Sequence, residues 1–241
     1  MLRATSLALV AWLIAVPSAA QPTVRAVTVY DGLATFELPL DWREVPPHEL
    51  EDATLWAAEA SGGRLVEIYQ HGFRPTAAAD DHGLPQLMIQ IRESGRLRSG
   101  DLERLPPLDE LRERAREIFP AAAPPVIVGL DLERVAFDRQ RRVVRMEHRL
   151  DLRLRGEVRV LTAAFLTERG WLVFHLSERG QRLDAARQLF ERVVDSVRLD
   201  PAVAYRPRLA DRWPGWPFFG AAALTAVVLI GWMILRRRPT P

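Results

Sequence analysis

VVRMEHRLDLRLRGEVRVLTAAFLTERGWLVFHL, residues 143–176, decides the fold. Its first third alternates: Arg145, Glu147, Arg149, Asp151 and Arg153 fall on one face, Met146, His148, Leu150, Leu152 and Leu154 on the other. A period of two is that of a β-strand. Gly156 turns the chain, and residues 158–166 become apolar on both faces, the pattern of a central strand. Glu168-Arg169-Gly170 turns again into a run where Trp171, Val173 and His175 share a face. Ser177-Glu178-Arg179-Gly180 repeats that turn sequence, so the segment reads as an antiparallel meander. The alternating charges of 145–153 predict a mixed-sign face held in water. His148, on the apolar side, reads as a hydrogen-bonded core histidine.

Moving outward, residues 183–197 place Leu183, Ala186, Leu189, Phe190, Val193, Val194 and Val197 on one helical stripe. Upstream, residues 24–38 read as a hairpin about Asp31-Gly32, since both turn residues tolerate positive φ. Trp42 follows and reads as a packing residue. Pro46-Pro47 opens a helix through Ala60, closed by Gly62 or Gly63. A strand over 64–73 then places Glu67, Tyr69, His71 and Phe73 on one face, a half-solvated row. Residues 74–85 read as a surface loop; Asp80, Asp81 and His82 are too few to make a metal site. Leu87, Ile89 and Ile91 alternate against Met88 and Gln90 in a strand over 86–93. A second helix runs from Pro106 or Pro107 to Phe119, and Val126–Val128 begins more sheet. Together these predict an α+β domain, an antiparallel β-sheet flanked by helices.

The two ends predict a location. Residues 217–235 (PFFGAAALTAVVLIGWMIL) carry no charge and run into Arg236, Arg237 and Arg238. As a helix they span about 28 Å, close to the roughly 30 Å hydrocarbon core of a bilayer. Phe218, Phe219 and the neighbouring aliphatics favour lipid, Trp213, Trp216 and Trp232 suit its interfaces, and the arginines mark the cytoplasmic side. At the other end Arg3 and an apolar run to Val16 are too short to span and precede Ser18 and Ala20, a signal-peptide pattern cut before Gln21. An uncleaved signal anchor is the competing reading. The expected organisation is a signal peptide over 1–20, an extracytoplasmic domain over 21–199 and a Pro-rich linker over 200–216. A transmembrane helix over 217–235 and a cytoplasmic tail over 236–241 complete it. With Pro201, Pro207 and Pro214 inside it and Pro217 at its junction with the span, the linker is expected to be stiff and extended, reaching up to about 50 Å. All basic side chains are Arg and none is Lys, which suggests a GC-rich bacterial genome. The predicted site is the bacterial inner membrane, single-pass, with the globular domain in the periplasm.

Charge excludes one class of partner. The chain has 33 basic and 31 acidic residues, a net charge of +2. Without Arg3 and the three tail arginines the balance is 29 to 31, near −2. This is no nucleic-acid footprint, which needs clustered positive charge. With no cysteine there is neither a disulfide framework nor thiol chemistry, so a core must supply the stability.

FELPLDW at 36–42, with Phe36, Pro39 and Trp42 as an F-x-x-P-x-x-W opening, and the closing DAARQLFERVVDSVRLD at 184–200 carry a resemblance. Around a mixed middle and antiparallel hairpins, they resemble the PsbP-like α/β/α sandwich, including bacterial extracytoplasmic DcrB-like proteins. The resemblance implies a non-catalytic accessory or interaction domain with no fixed catalytic set. The sequence departs from the lipoprotein members in lacking a cysteine anchor; the C-terminal span takes that role.

Local catalytic motifs are absent: there is no G-x-S-x-G, H-E-x-x-H or G-x-x-x-x-G-K-[ST]. No catalytic, metal or cofactor residues are assigned. The leading expectation is a membrane-anchored periplasmic interaction domain serving another envelope protein. A small-ligand binder or hydrolase would have its site near Trp42, Trp56, Tyr69 and His71. A third reading treats the C-terminal span as a sorting signal that is processed.

Overall fold

The computed structural model describes residues 23–60, 68–76, 84–103, 105–118, 127–153, 156–179, 182–208 and 211. The expected signal peptide, the gap at 77–83 with Asp80, Asp81 and His82, and the expected span with Phe218, Phe219, Trp232 and Arg236–Arg238 lie outside them. Among the described residues no helix is long and apolar enough to cross a membrane.

The hairpin forms where Asp31-Gly32 predicts it. Strands β1 (Val24–Val29) and β2 (Ala34–Pro39) pair antiparallel. Asp31 and Gly32 sit at φ +52° and +94°, and Leu33 N–H donates to Tyr30 O at 3.1 Å. Positive φ at both central residues is what a two-residue turn matched to strand twist requires. The chain continues through β3 (Trp42–Glu44), α1 (Pro47–Ala60), β4 (His71–Pro75) and β5 (Gln86–Arg92). A single-turn α2 (Ser99–Leu102) and α3 (Leu108–Ile118) follow. The meander comprises β6 (Ile127–Asp138), β7 (Val143–Leu152), β8 (Gly156–Leu166) and β9 (Trp171–Arg179). Helix α4 (Leu183–Ser196) and a two-residue β10 (Arg198–Leu199) close the described fold.

Seven strands form one sheet in the order β3-β4-β5-β9-β8-β7-β6, with every neighbour antiparallel. A second sheet, β1-β2-β10, lies on one face of it with α4. There Phe36, Leu38, Phe190, Val193 and Val194 pack on Leu87, Ile89, Phe165 and Phe174. Phe36 meets Phe73 and Phe174 edge-on, with ring centroids 5.8 and 5.2 Å apart, the favoured aromatic geometry. The opposite face, bearing Val144, Met146, Ala164, Trp171 and Val173, is covered by Leu111 of α3, Leu102 and Tyr205. Further along, Val45 and Leu50 of the α1 region cover Met88. Burial on both faces explains why the second half of β8 reads as apolar throughout.

Three expectations need correcting, and a fourth is met with added detail. The charged row of β7 is not simply solvated: α4 lies over its first half, Glu147 is buried, and Arg187 of α4 donates to it at 2.6 Å. Opposite charges let the helix cover the row without stranding an ion, as Arg145 also shows beside Asp138 and Glu191, both at 3.3 Å. The strand expected from residue 64 is seen as β4 only from His71, with 61–67 outside the described residues. The sheet expected to begin at Val126–Val128 is met: pairing from residue 127 is continuous to Asp138, with register shifts at Ile127/Gly129 and Leu132/Arg134. Such irregularities spoil the period-two pattern that marks a strand in sequence. Finally, the start of the expected free linker is docked: Ala204 bridges to Thr167, and Tyr205 and Asp211 are buried.

Candidate functional site

Between α1 and the sheet edge lies a groove of about 900 Å³. Local sequence builds it. Strand β3 ends at Val45-Pro46, and Pro47, which lacks an N–H to satisfy, opens α1; Glu49 and Leu50 donate to Pro46 O at 3.0 and 3.2 Å. Glu49 then grips Arg74 of β4 through two bonds of 2.5 and 2.8 Å. Gly72 permits the close approach: a Cβ there would lie 2.7 Å from Leu50 Cδ2 and 2.8 Å from Met88 Sδ.

The floor is apolar, from Val45, Pro46 and Leu50, with Leu55 and Ile68 exposed along its rim; the polar lining comes from Glu44, Glu51, Thr54, Tyr69, Gln70 and His71. Neither Lys nor Arg lines it among the described residues. His71 Nδ1 lies 3.4 Å from Glu44 Oε1, and the Tyr30 ring meets its ring edge-on at 4.7 Å. Tyr30, held at φ +54°, donates from its hydroxyl to Gln70 Oε1 at 2.8 Å. Ile91 N–H donates to the same oxygen at 3.2 Å. Burial pushes the pKa of the Tyr30 hydroxyl up, so at neutral pH it is a hydrogen-bond donor and not a phenolate. Neither Ser nor Cys lines the groove among the described residues. The arrangement suits binding of a cationic or hydrogen-bonding group.

The structure divides the four sequence candidates. Tyr69 and His71 both line the groove but not from one face. His71 pairs with Ile89 and meets Tyr30 on the hairpin side, whereas Tyr69 packs with Leu50 and Met88 on the α1 side. The shared row is therefore broken, because β4 begins only at His71 and Tyr69 precedes the pleat. Trp42 is buried in the core with Phe73, and its carbonyl accepts from Arg25 at 3.0 Å. The Trp56 side chain lies outside the described residues. Sequence reading missed Tyr30, Glu44, Glu51 and Gln70; the Pro-Pro pair beside Glu44 was the available signal.

Two other polar clusters hold the fold. His175 spends both ring nitrogens, Nδ1 on Thr162 Oγ1 at 3.0 Å and Nε2 on the Gln90 amide oxygen at 2.8 Å, which also accepts from Arg92. The second is a clasp. Arg96 donates to Asp211 Oδ1 and Oδ2 at 2.7 and 2.9 Å and to Glu168 at 3.0 Å, with its guanidinium 4.5 Å above the Tyr205 ring. The Tyr205 hydroxyl accepts from Ser99 N–H at 3.0 Å. Arg96 holds the Asp211 carboxyl well below the usual carboxylate range. Glu168 is lowered too, first by the Arg206 N–H and then by Arg96. Among the described residues no group of three or more His, Cys, Asp or Glu is placed to hold a metal ion.

No family model matches the chain, and no curated protein does. Among solved structures the chain is similar to cyanobacterial PsbP (CyanoP) from Synechocystis sp. PCC 6803, with 15% identity and a TM-score of 0.47 over 78% of this chain and 99% of that one. It is also similar to a mutant of the protein Mog1, with 10% identity and a TM-score of 0.38 over 73% of this chain and 95% of that one.

Proposed function

We propose that the chain is a membrane-tethered extracytoplasmic interaction domain, a non-catalytic accessory to another protein of the bacterial envelope. The observation that carries this reading is the uncharged run at 217–235 backed by three arginines, which favours lipid over water by several kcal/mol on insertion scales. Its support within the domain is negative charge on an apolar groove, Glu44 and Glu51 over Leu50 and Ile68, a surface for a basic or amphipathic segment of a partner. Carbonate washing of membranes, protease added to spheroplasts, and crosslinking from a probe at Leu55 test it. The expected result is a membrane-retained, protease-sensitive chain that captures one dominant envelope protein. A chain that washes off, or stays protected, ends the anchor reading; retention with no specific capture ends the partner reading.

A second reading is favoured by the groove's size, which lies within the range of small-molecule sites. A small cationic ligand would then sit against His71 and Glu44. Saturable binding abolished by Glu44→Gln, with the partner capture absent, would select it.

A further inference from the structure

We propose that the end of the large sheet bearing the Arg96–Asp211 clasp rests on an anionic lipid surface, so that the domain stands on the membrane instead of swinging above it. The inference builds on the anchor reading above.

The tether is short. A linker free from Asp200 would let the domain drift, but Asp211 is pinned at both carboxylate oxygens. From Asp211 to Pro217 there are only six backbone steps, at most about 20 Å of extended chain. That stretch, RWPGW at 212–216, carries two tryptophans suited to the headgroup layer, so part of the reach lies within the interface. Whatever the domain presents around the clasp therefore lies within reach of the headgroups.

What it presents is rich in arginine. Arg98, Arg169, Arg206 and Arg208 are exposed around the clasp. The two nearest carboxylates are already engaged: Glu168 accepts from Arg96, Arg208 and the Arg206 N–H, and Asp211 from Arg96. Glu93, Asp200 and, in the hairpin turn that Asp200 bonds, Asp31 are exposed opposing charges on the same side, so the attraction depends on salt and needs anionic lipid. The opposite end of the sheet, at Leu40 and Thr76, lies one strand length away, about 27 Å for the nine residues of β9. Pinning the exit at one end thus fixes which end faces the bilayer.

The test uses the full chain in vesicles of phosphatidylcholine with or without phosphatidylglycerol. Because the sequence has no cysteine, single fluorophores can be placed through Ser94→Cys, near the clasp, and Leu40→Cys, at the far end. Quenching by headgroup nitroxides is then compared. The expected result is severalfold stronger quenching at position 94 than at 40 in anionic vesicles. Arg98→Gln, Arg169→Gln and Arg206→Gln together should bring quenching at position 94 down to its level in phosphatidylcholine alone, and the corresponding Lys substitutions should retain the enhancement by phosphatidylglycerol. The Lys version also separates lost charge from lost fold. Equal quenching at 94 and 40 in a carbonate-resistant chain overturns the docking and leaves the anchor standing, as does quenching at 94 that phosphatidylglycerol does not raise or whose rise survives neutralisation. A chain that carbonate removes overturns both.

Discussion

Removing the Asp211 carboxylate by Asp211→Ala should release the docked segment without unfolding the sheet. The Asp211 side chain is 4% exposed and that of Arg96 17%. Losing Asp211 removes two charge-assisted bonds from Arg96 and one from Arg208 N–H. Breaking such a pair costs about 3–5 kcal/mol when the remaining ion is stranded in the interior. Arg96 keeps Glu168 and the Arg206 carbonyl, at 3.0 and 2.6 Å, so about 2–3 kcal/mol is the better figure. That cost falls on the docking of 200–211, because the segment can lift away while β8 and β9 stay paired. At about 1.4 kcal/mol per decade the open state becomes roughly 30 to 150 times more populated. Hydrogen exchange read by mass spectrometry should show that acceleration in peptides covering 203–208 and in the Glu168 amide, which donates to Val203 O at 3.0 Å. Peptides within β8 and β9 should keep their rates. Unchanged exchange over 203–208, or a rise spread evenly through the sheet, would refute the account of an independently docked strap.

Acid should act on the same strap. Asp211 and Glu168 have folded pKa values below their ordinary ones, so their contribution is complete above the normal carboxylate range near pH 4 and is lost as pH falls through it toward the folded values. Exchange over 203–208 should therefore be pH-corrected and constant from neutrality to about pH 5, then accelerate below about pH 4, ahead of the core. Gly72→Ala should lower stability by about 1–3 kcal/mol through overpacking against Leu50 and Met88, read as a drop in melting temperature that is smaller when the substitution is made in a Leu50→Ala background. Gly170→Ala should cost about 3 kcal/mol or more, since its Cβ would overlap the Arg92 carbonyl oxygen at φ +150°. Gly32→Ala, at φ +94° with open space around it, should cost only about 1 kcal/mol of backbone strain. Equal melting shifts for the last two would sink the argument that close approach, and not dihedral angle alone, selects glycine at 170.

The meander was legible because its rules are local. Alternation through β7, the turn at Gly170 and the helical stripe of α4 each need only neighbouring residues, and Asp31-Gly32 announces its own turn. Placing β5 beside β9 needed pairing across the chain, Gln90 with Val173 and Ile91 with Leu172, which no local period records. The two-residue β10 is too short to show any pattern. Prolines misled the reading of 200–211: Pro201 and Pro207 do stiffen the segment, yet they say nothing about Tyr205 and Asp211 finding Ser99 and Arg96 a hundred residues upstream. At the groove, Tyr69 and His71 were visible as a polar pair in sequence. Tyr30, which contacts His71 from the hairpin, was not, because only the stacking of the two sheets brings it there.

The union of β2 with the end of α4 also sets an order of events during synthesis. Glu37 N–H donates to Ser196 Oγ across 159 residues of chain at 2.8 Å, and β10 pairs with Thr35 and Ala34. At about 5–20 residues per second the hairpin waits roughly 8 to 30 seconds for its covering helix to be made. Throughout that wait Ala34, Phe36 and Leu38 present a greasy ribbon with an open edge, which marks this hairpin as the nascent chain's foremost target for a holding chaperone.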